Sequence, residues 1–224
     1  MRYNKPDAEK MEKETSRLEA FSDGVFSIAI TLLILERIEI LHQQSADGLI
    51  KNIIRHADAF LAFFLGFLTI LICWINHHVV ISHVRKIDSS MMWVNGFVLL
   101  VVTFTPFPTA ILAEHFATER HTALAIFGFN YVMMALAAYS ITAYVYNKHL
   151  IEVGSREMFY GFKLIYRYSI AFTIVVFFIC FISVPVAIFF YCILFIVFAY
   201  PRESSAKLLK FKNRKKTKPA ESSN

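Results

Sequence analysis

The sequence predicts an all-α polytopic membrane protein with six transmembrane helices and both termini in the cytosol. Three observations lead there. Apolar stretches of spanning length recur along the chain, charged residues are scarce, and the basic residues collect on one side of the weave that those stretches define. Of 224 residues, 57% are hydrophobic and 18% charged, whereas soluble domains carry about 25% charged residues.

A bilayer core about 30 Å thick is crossed by about 20 helical residues. Helix one is expected over 16–35, helix two over 57–80, helix three over 91–112 and helix four over 123–146. Residues 164–200 are almost continuously apolar, too long for one modestly tilted span, and divide into two at Ser183, Val184 and Pro185. Pro106 and Pro108 bend or end helix three, because each lacks an N–H for the helical ladder. The expected layout is a cytosolic N-terminal segment over 1–15, a six-helix transmembrane domain over 16–200 and a basic cytosolic tail over 201–224. No short leader with a cleavage site precedes the first span, so helix one is kept as mature protein.

Counting Lys and Arg tests this topology independently of hydropathy. The N-terminal residues, the 77–90 loop, the 147–167 stretch and the tail hold 19 of the 23 basic residues; Arg37, Lys51, Arg55 and Arg120 face the other side. Cytosolic residues normally carry this excess, which places both ends there. The tail residues Lys207, Lys210, Lys212, Arg214, Lys215, Lys216 and Lys218 read first as a segment that sets topology and solubility. An anionic leaflet is their alternative partner. The net charge of +6 is confined to such segments, which favours phospholipid headgroups over nucleic acid.

Other classes fit less well. Cys73, Cys180 and Cys192 lie in apolar runs and read as small hydrophobes. The seven glycines are scattered, with no Thr-Val-Gly-Tyr-Gly filter of the ordinary potassium-channel type. His77, His78 and His83 lie close together, which raises a membrane metalloenzyme as one alternative. His42, His56, His115 and His121 fall on the opposite side, so the convergent ligand clusters of such an enzyme are missing. The chain is expected not to be an enzyme and to need no cofactor.

Helix one carries the informative chemistry, and Ser16 and Glu19, at capping-box spacing, are expected to mark its start. Asp23 sits too deep to face lipid and needs a protein or polar partner. Trp74, His77 and His78 end helix two at the same depth, and Asn95 follows the start of helix three. Together they predict a polar network between the three helices. Arg17 is roughly 120° from Asp23 around the helix, so a direct pair between them is not expected. Ile28, Thr31, Leu32, Leu35 and Glu39 share a separate face within roughly 100° of arc. From periodicity, packing and pore lining both remain open for that stripe. Tyr139, Tyr144 and Tyr146 read as an interfacial aromatic belt.

Arg17 and the run Phe21, Ser22, Asp23, Gly24, Val25, Phe26, Ser27, Ile28, Ala29, Ile30, Thr31, Leu32, with Trp74 and the pair His77 and His78, resemble the signature of the bacterial one-repeat relatives of the endosomal and lysosomal potassium channel. The resemblance implies a six-helix repeat without a re-entrant pore loop, assembled as a homotetramer in the bacterial plasma membrane with helix one lining the pore. Carried onto this chain, it implies an aliphatic constriction at Ile28, further layers at Leu32 and Leu35, and a polar layer at Thr31. It also implies an interhelical network of Arg17, Asp23, Trp74, His78 and Asn95, with His77 or His78 as its inward histidine. Ser27 stands where the family usually has Ala, and Ile34 where it usually has Val.

The expected function is therefore passive, potassium-preferring cation conduction, with potassium passing transiently near Ile28 and Thr31 and Glu39 at the outer mouth. A proton-coupled transporter using Asp23 and His78 is the alternative from another class.

Overall fold

The computed structural model describes residues 5–42 and 57–201, with positions 50, 51, 54 and 206 besides. The basic residues from Lys207 to Lys218 lie outside the described residues, as does the side chain of Glu39. Seven α-helices are described. Helix α1 spans Lys5–His42, α2 Ala57–Ile81, α3 Ser89–Phe104, α4 Pro106–His115, α5 Arg120–Asn147, α6 Arg156–Ile179 and α7 Val184–Ala199.

Among the described residues, five stretches are long and apolar enough to cross a membrane: Glu14–Leu35, Ala57–Ile81, Ser89–His115, Arg120–Asn147 and Arg156–Ile179. Where a sixth span is expected, α7 is a shorter apolar helix of 16 residues, about 24 Å long at 1.5 Å per residue. The break between α6 and α7 falls beside Ser183, as Pro185 predicts. Helix three is interrupted at Thr105, whose N–H bonds to the Val102 carbonyl at 3.1 Å before Pro106 opens α4. Helix one differs from expectation at its start. It is already helical from Lys5, which puts Ser16 in the helix interior instead of at a cap.

The helices bury two apolar clusters. One joins Phe26, Ala29 and Leu33 of α1 to Ile70 and Val80 of α2, Met91, Val98 and Val102 of α3, Val145 of α5 and Phe159 of α6. The other joins Leu112 of α4, Leu124 and Phe127 of α5, Val176 of α6 and Ala187, Tyr191 and Leu194 of α7, with Cys180 beside them. Two glycines set how closely the helices approach. A Cβ on Gly66 would lie 2.8 Å from the Thr109 side chain of α4, and one on Gly128 would overlap the Tyr191 hydroxyl of α7. Cys73, Cys180 and Cys192 are free thiols.

Of the expected aromatic belt, Tyr144 is half-buried and its hydroxyl has a protein partner. Its hydroxyl lies 2.8 Å from each carboxylate oxygen of Asp88, and Asp88 caps α3 by accepting from the Met91 N–H at 2.7 Å. The Tyr144 hydroxyl first, and the Met91 N–H second, hold the Asp88 carboxyl below the usual carboxylate range. A depressed folded-state pKa adds stability that is present above the unfolded-state value and disappears as pH falls through the folded one. Asp88→Asn keeps a capping oxygen but has no charge to titrate. Melting curves between about pH 6 and pH 3 should therefore show a shallower acid limb for Asp88→Asn than for the natural chain. Parallel acid limbs would contradict this role of Asp88.

Candidate functional site

The first helix has two faces, and the rest of the protomer covers one of them. Ser22, Phe26, Ala29 and Leu33 are buried and follow one another at i, i+4, i+7 and i+11, within about 60° of arc. Ile28 is 60% exposed, Leu32 41% and Leu35 58%, and Thr31 is exposed as well. This second stripe is centred about 140° from the first. The Thr31 hydroxyl donates to the Ile28 carbonyl at 2.9 Å. Its donor is thus used within the helix, and its oxygen keeps acceptor capacity.

The buried stripe is tied down by polar contacts at its head. Ser22 donates to the Leu18 carbonyl at 2.8 Å, and its oxygen accepts from Asn95 Nδ2 at 3.0 Å. Asn95 Oδ1 is then the acceptor for His77 Nε2 at 2.7 Å, which puts the imidazole proton on Nε2. The chain from α1 through α3 to α2 is buried throughout, and Phe26 packs its ring against His77 with centroids 5.2 Å apart. Unpaired, each of these groups would carry a desolvation cost of ~1–3 kcal/mol. The hydrogen-bonded chain fixes the rotation of α1 about its own axis.

A second contact lies alongside. Trp74 Nε1 donates to Asp23 Oδ1 at 2.8 Å, so the carboxylate expected to need a partner has one on α2. A third joins His78 Nδ1 to Glu19 Oε1 at 3.1 Å. The His78 ring also lies against Trp74 in a tilted arrangement, with centroids 5.9 Å apart. The single network expected from the sequence is therefore three contacts set side by side. His77 is the inward histidine, while His78 turns to Glu19. Among the described residues, Asp23 and His78 share no direct bond.

Arg17 is exposed and joins none of these contacts. The helical period explains why: eleven residues separate it from Ile28, which leaves the two about 20° apart on the outward stripe. Ser22 and Glu19 are the residues missed by sequence reasoning. Ser22 was readable from its angle, because it heads the buried Phe26 stripe. Glu19 was assigned to a capping box that the helix start at Lys5 removes.

Behind His77, between α2, α5, α6 and α7, lies a cavity of about 50 Å³ walled by Thr69, Asn76, His77, Tyr131, Thr142 and Tyr166 among others. That is room for about one or two waters. Asn76 spans it, donating to the Ile72 and Phe198 carbonyls at 2.7 and 2.9 Å and accepting from Tyr166 at 2.9 Å. Among the described residues, no three His, Cys, Asp or Glu side chains converge as metal ligands do.

Residues 17–106, which hold both faces of α1 and the polar contacts, match the family model described as Endosomal/lysosomal potassium channel TMEM175. The crystal structure of a lysosomal potassium-selective channel TMEM175 homologue from Chamaesiphon minutus aligns with a TM-score of 0.74 at 32% identity, covering 85% of this chain and 98% of that one. This chain belongs to the TMEM175 family. It is a multi-pass membrane protein of that family's fold. Among TMEM175 relatives, the chain is 46% identical over 106 residues to the protein named Potassium channel Cha6605_3372 of Chamaesiphon minutus, covering 46% of this chain and 52% of that relative. It is 35% identical over 111 residues to the Endosomal/lysosomal proton channel TMEM175 of Danio rerio, covering 46% of this chain and 21% of that protein. By sequence, the chain thus spans about half the length of its curated bacterial relative.

Proposed function

We propose that this protein is a passive, potassium-preferring cation channel: a homotetramer in which four copies of α1 surround the conduction axis. Both termini lie in the cytosol, and Glu39 stands at the outer mouth. The observation that carries this reading is the exposure of Ile28, Leu32 and Leu35 on a face of α1 turned away from its own protomer. Acyl chains alone would cover aliphatic side chains, but the stripe also holds the exposed hydroxyl of Thr31, which favours a covering of protein around a polar route. Symmetric copies of the same helix supply one and leave an axis between them.

On that axis Ile28 forms the constriction. A bare cation surrounded by hydrocarbon loses its hydration at a large cost, so an aliphatic ring closes the pore by narrowing or drying it. Potassium, which sheds water more readily than sodium, passes with the smaller penalty. The acceptor capacity left on the Thr31 oxygen replaces part of the lost hydration one turn further on. The network around Asn95 keeps Ile28 aimed inward by holding the opposite face of α1 against α2 and α3.

Liposomes containing the purified protein test this reading. Potassium flux should follow the electrochemical gradient, exceed sodium flux under matched gradients and need no proton gradient. Saturable flux of another substrate, in the absence of potassium flux, would overturn it. Proton permeation along the same route is the second reading, favoured by the name of the Danio rerio relative; a pH-sensitive dye trapped in the same liposomes reads it directly.

A further inference from the structure

A basic and aromatic stripe runs along α6, away from the α1 face. Arg156, Tyr160, Lys163 and Arg167 occupy positions i, i+4, i+7 and i+11, within about 60° of arc. The adjoining end of α5 supplies Tyr146, whose ring centroid is 5.3 Å from the Arg156 guanidinium and 5.2 Å from the Lys163 ammonium. Lys163 Nζ donates to Asn147 Oδ1 at 2.8 Å, and Arg156 Nη1 donates to His149 Nδ1 at 2.6 Å. Arg167 lies 5.4 Å from the ring centroid of Tyr168, and both are exposed.

Among the described residues, none of these three cations has a carboxylate within ion-pairing distance. Glu152 is engaged by Arg85 at 3.4 Å. Glu157, beside Arg156, is exposed and about 100° further round the helix. The stripe also lies at a defined depth. Asp88 and Tyr144 hold the start of α3 level with the last turn of α5, and Trp93, one turn into α3, is 83% exposed. An outward indole at that level marks the membrane interface. Lys163 and Arg167 sit about 10 and 16 Å along α6 from Arg156. Arg167 is therefore an outward cation on a spanning helix, where an unmatched charge is costly.

We propose that this stripe is a binding site for the headgroup phosphate of an anionic phospholipid. The phosphodiester oxygens accept from Lys163 and from Arg167, whose aliphatic stem lies along the acyl chains while its guanidinium reaches up to the phosphate. Tyr146 holds Arg156 and Lys163 side by side, and Arg156 excludes headgroups that carry their own cation. Phosphatidylglycerol fits these requirements and phosphatidylcholine does not. The site is independent of conduction.

Native mass spectrometry of the full chain, released from detergent containing equal amounts of phosphatidylglycerol and phosphatidylcholine, tests the proposal. The natural protein should retain phosphatidylglycerol preferentially. Lys163→Gln and Arg167→Gln should each lower that preference about fivefold, the effect of about 1 kcal/mol per basic residue at an anionic surface. Lys163→Arg and Arg167→Lys should preserve it. Melting curves in lipid-free detergent verify that the Gln variants fold, and either variant alone carries the test. Equal retention of the two lipids would overturn the proposal. So would loss of preference on changing Lys215 and Lys216 of the tail to Gln with the α6 variants unaffected. Displacement of the lipid by millimolar inorganic phosphate would overturn the lipid assignment in favour of a free-anion site.

Discussion

Replacing Ile28 with Asn should raise cation leak through the protein and weaken its preference for potassium over sodium. Ile28 is the most exposed member of the outward α1 stripe formed with Leu32 and Leu35. In the proposed assembly its side chain meets its symmetry copies and closes the narrowest part of the route. The carboxamide of Asn is shorter and offers a carbonyl oxygen, so the ring both widens and becomes wettable. Ions then cross with more of their water retained, and the difference in dehydration cost between potassium and sodium shrinks. A barrier lower by only ~1.4 kcal/mol multiplies the rate about tenfold, so the leak should be plain in liposome flux or bilayer recordings. Ile28→Val, which remains aliphatic, should change the current far less. Natural current and selectivity in Ile28→Asn would remove Ile28 from the constriction.

The second large effect is expected at the buried chain through Ser22, Asn95 and His77. Asn95→Leu removes the acceptor for His77 Nε2 and the donor to Ser22 in one step. The imidazole N–H then stays buried without a partner at a cost of ~1–3 kcal/mol, and the larger apolar side chain adds crowding where α1, α2 and α3 meet. Thermal denaturation in detergent should register a clear loss of stability. The contact also fixes α1 in rotation, so conduction should change beyond what the lower amount of folded protein explains. A cycle of Ser22→Ala, Asn95→Ala and the double variant separates the pair from its surroundings. Partners in such contact show coupling of ~0.5–3 kcal/mol. Additive losses would mean that the two side chains act independently and that the buried chain does not position α1. Trp74→Phe should cost less than Asn95→Leu, because Asp23 is only partly buried and water can replace the indole N–H.

Much of this arrangement was legible in the sequence, for identifiable reasons. Helices α2 and α5 lie within a few residues of the predicted spans because lipid demands unbroken apolar length, which hydropathy reads directly. Pro106 and Pro185 marked the start of α4 and the break before α7, since proline removes a backbone donor wherever it stands. The start of α1 was not legible in the same way. Residues 5–15 are mostly charged and carry no apolar stripe that would reveal a helix, although Glu, Lys, Met and Ala favour one there. The Ser16 and Glu19 spacing then imitated a capping box.

At the candidate site, depth was readable and direction was not. Trp74, His77 and His78 were placed beside Asp23 by counting residues from the helix ends. Which histidine meets Asn95 and which meets Glu19 is decided by the rotation of α2 against its neighbours, a tertiary property. Arg17 was grouped with Asp23 through the family resemblance, yet the 100° step already placed it with Ile28. The bond from Tyr144 to Asp88 was not readable, because the two are 56 residues apart in the chain.

Cysteine accessibility tests the central claim most directly. In a Cys192→Ser background, which removes the exposed native thiol, Ile28→Cys and Ala29→Cys place a thiol on the outward and inward faces of the same helix turn. A small cationic thiol reagent applied during potassium flux should block the Ile28→Cys channel and leave Ala29→Cys conducting. Block at Ala29→Cys with Ile28→Cys untouched would contradict the proposed orientation of α1 about the axis.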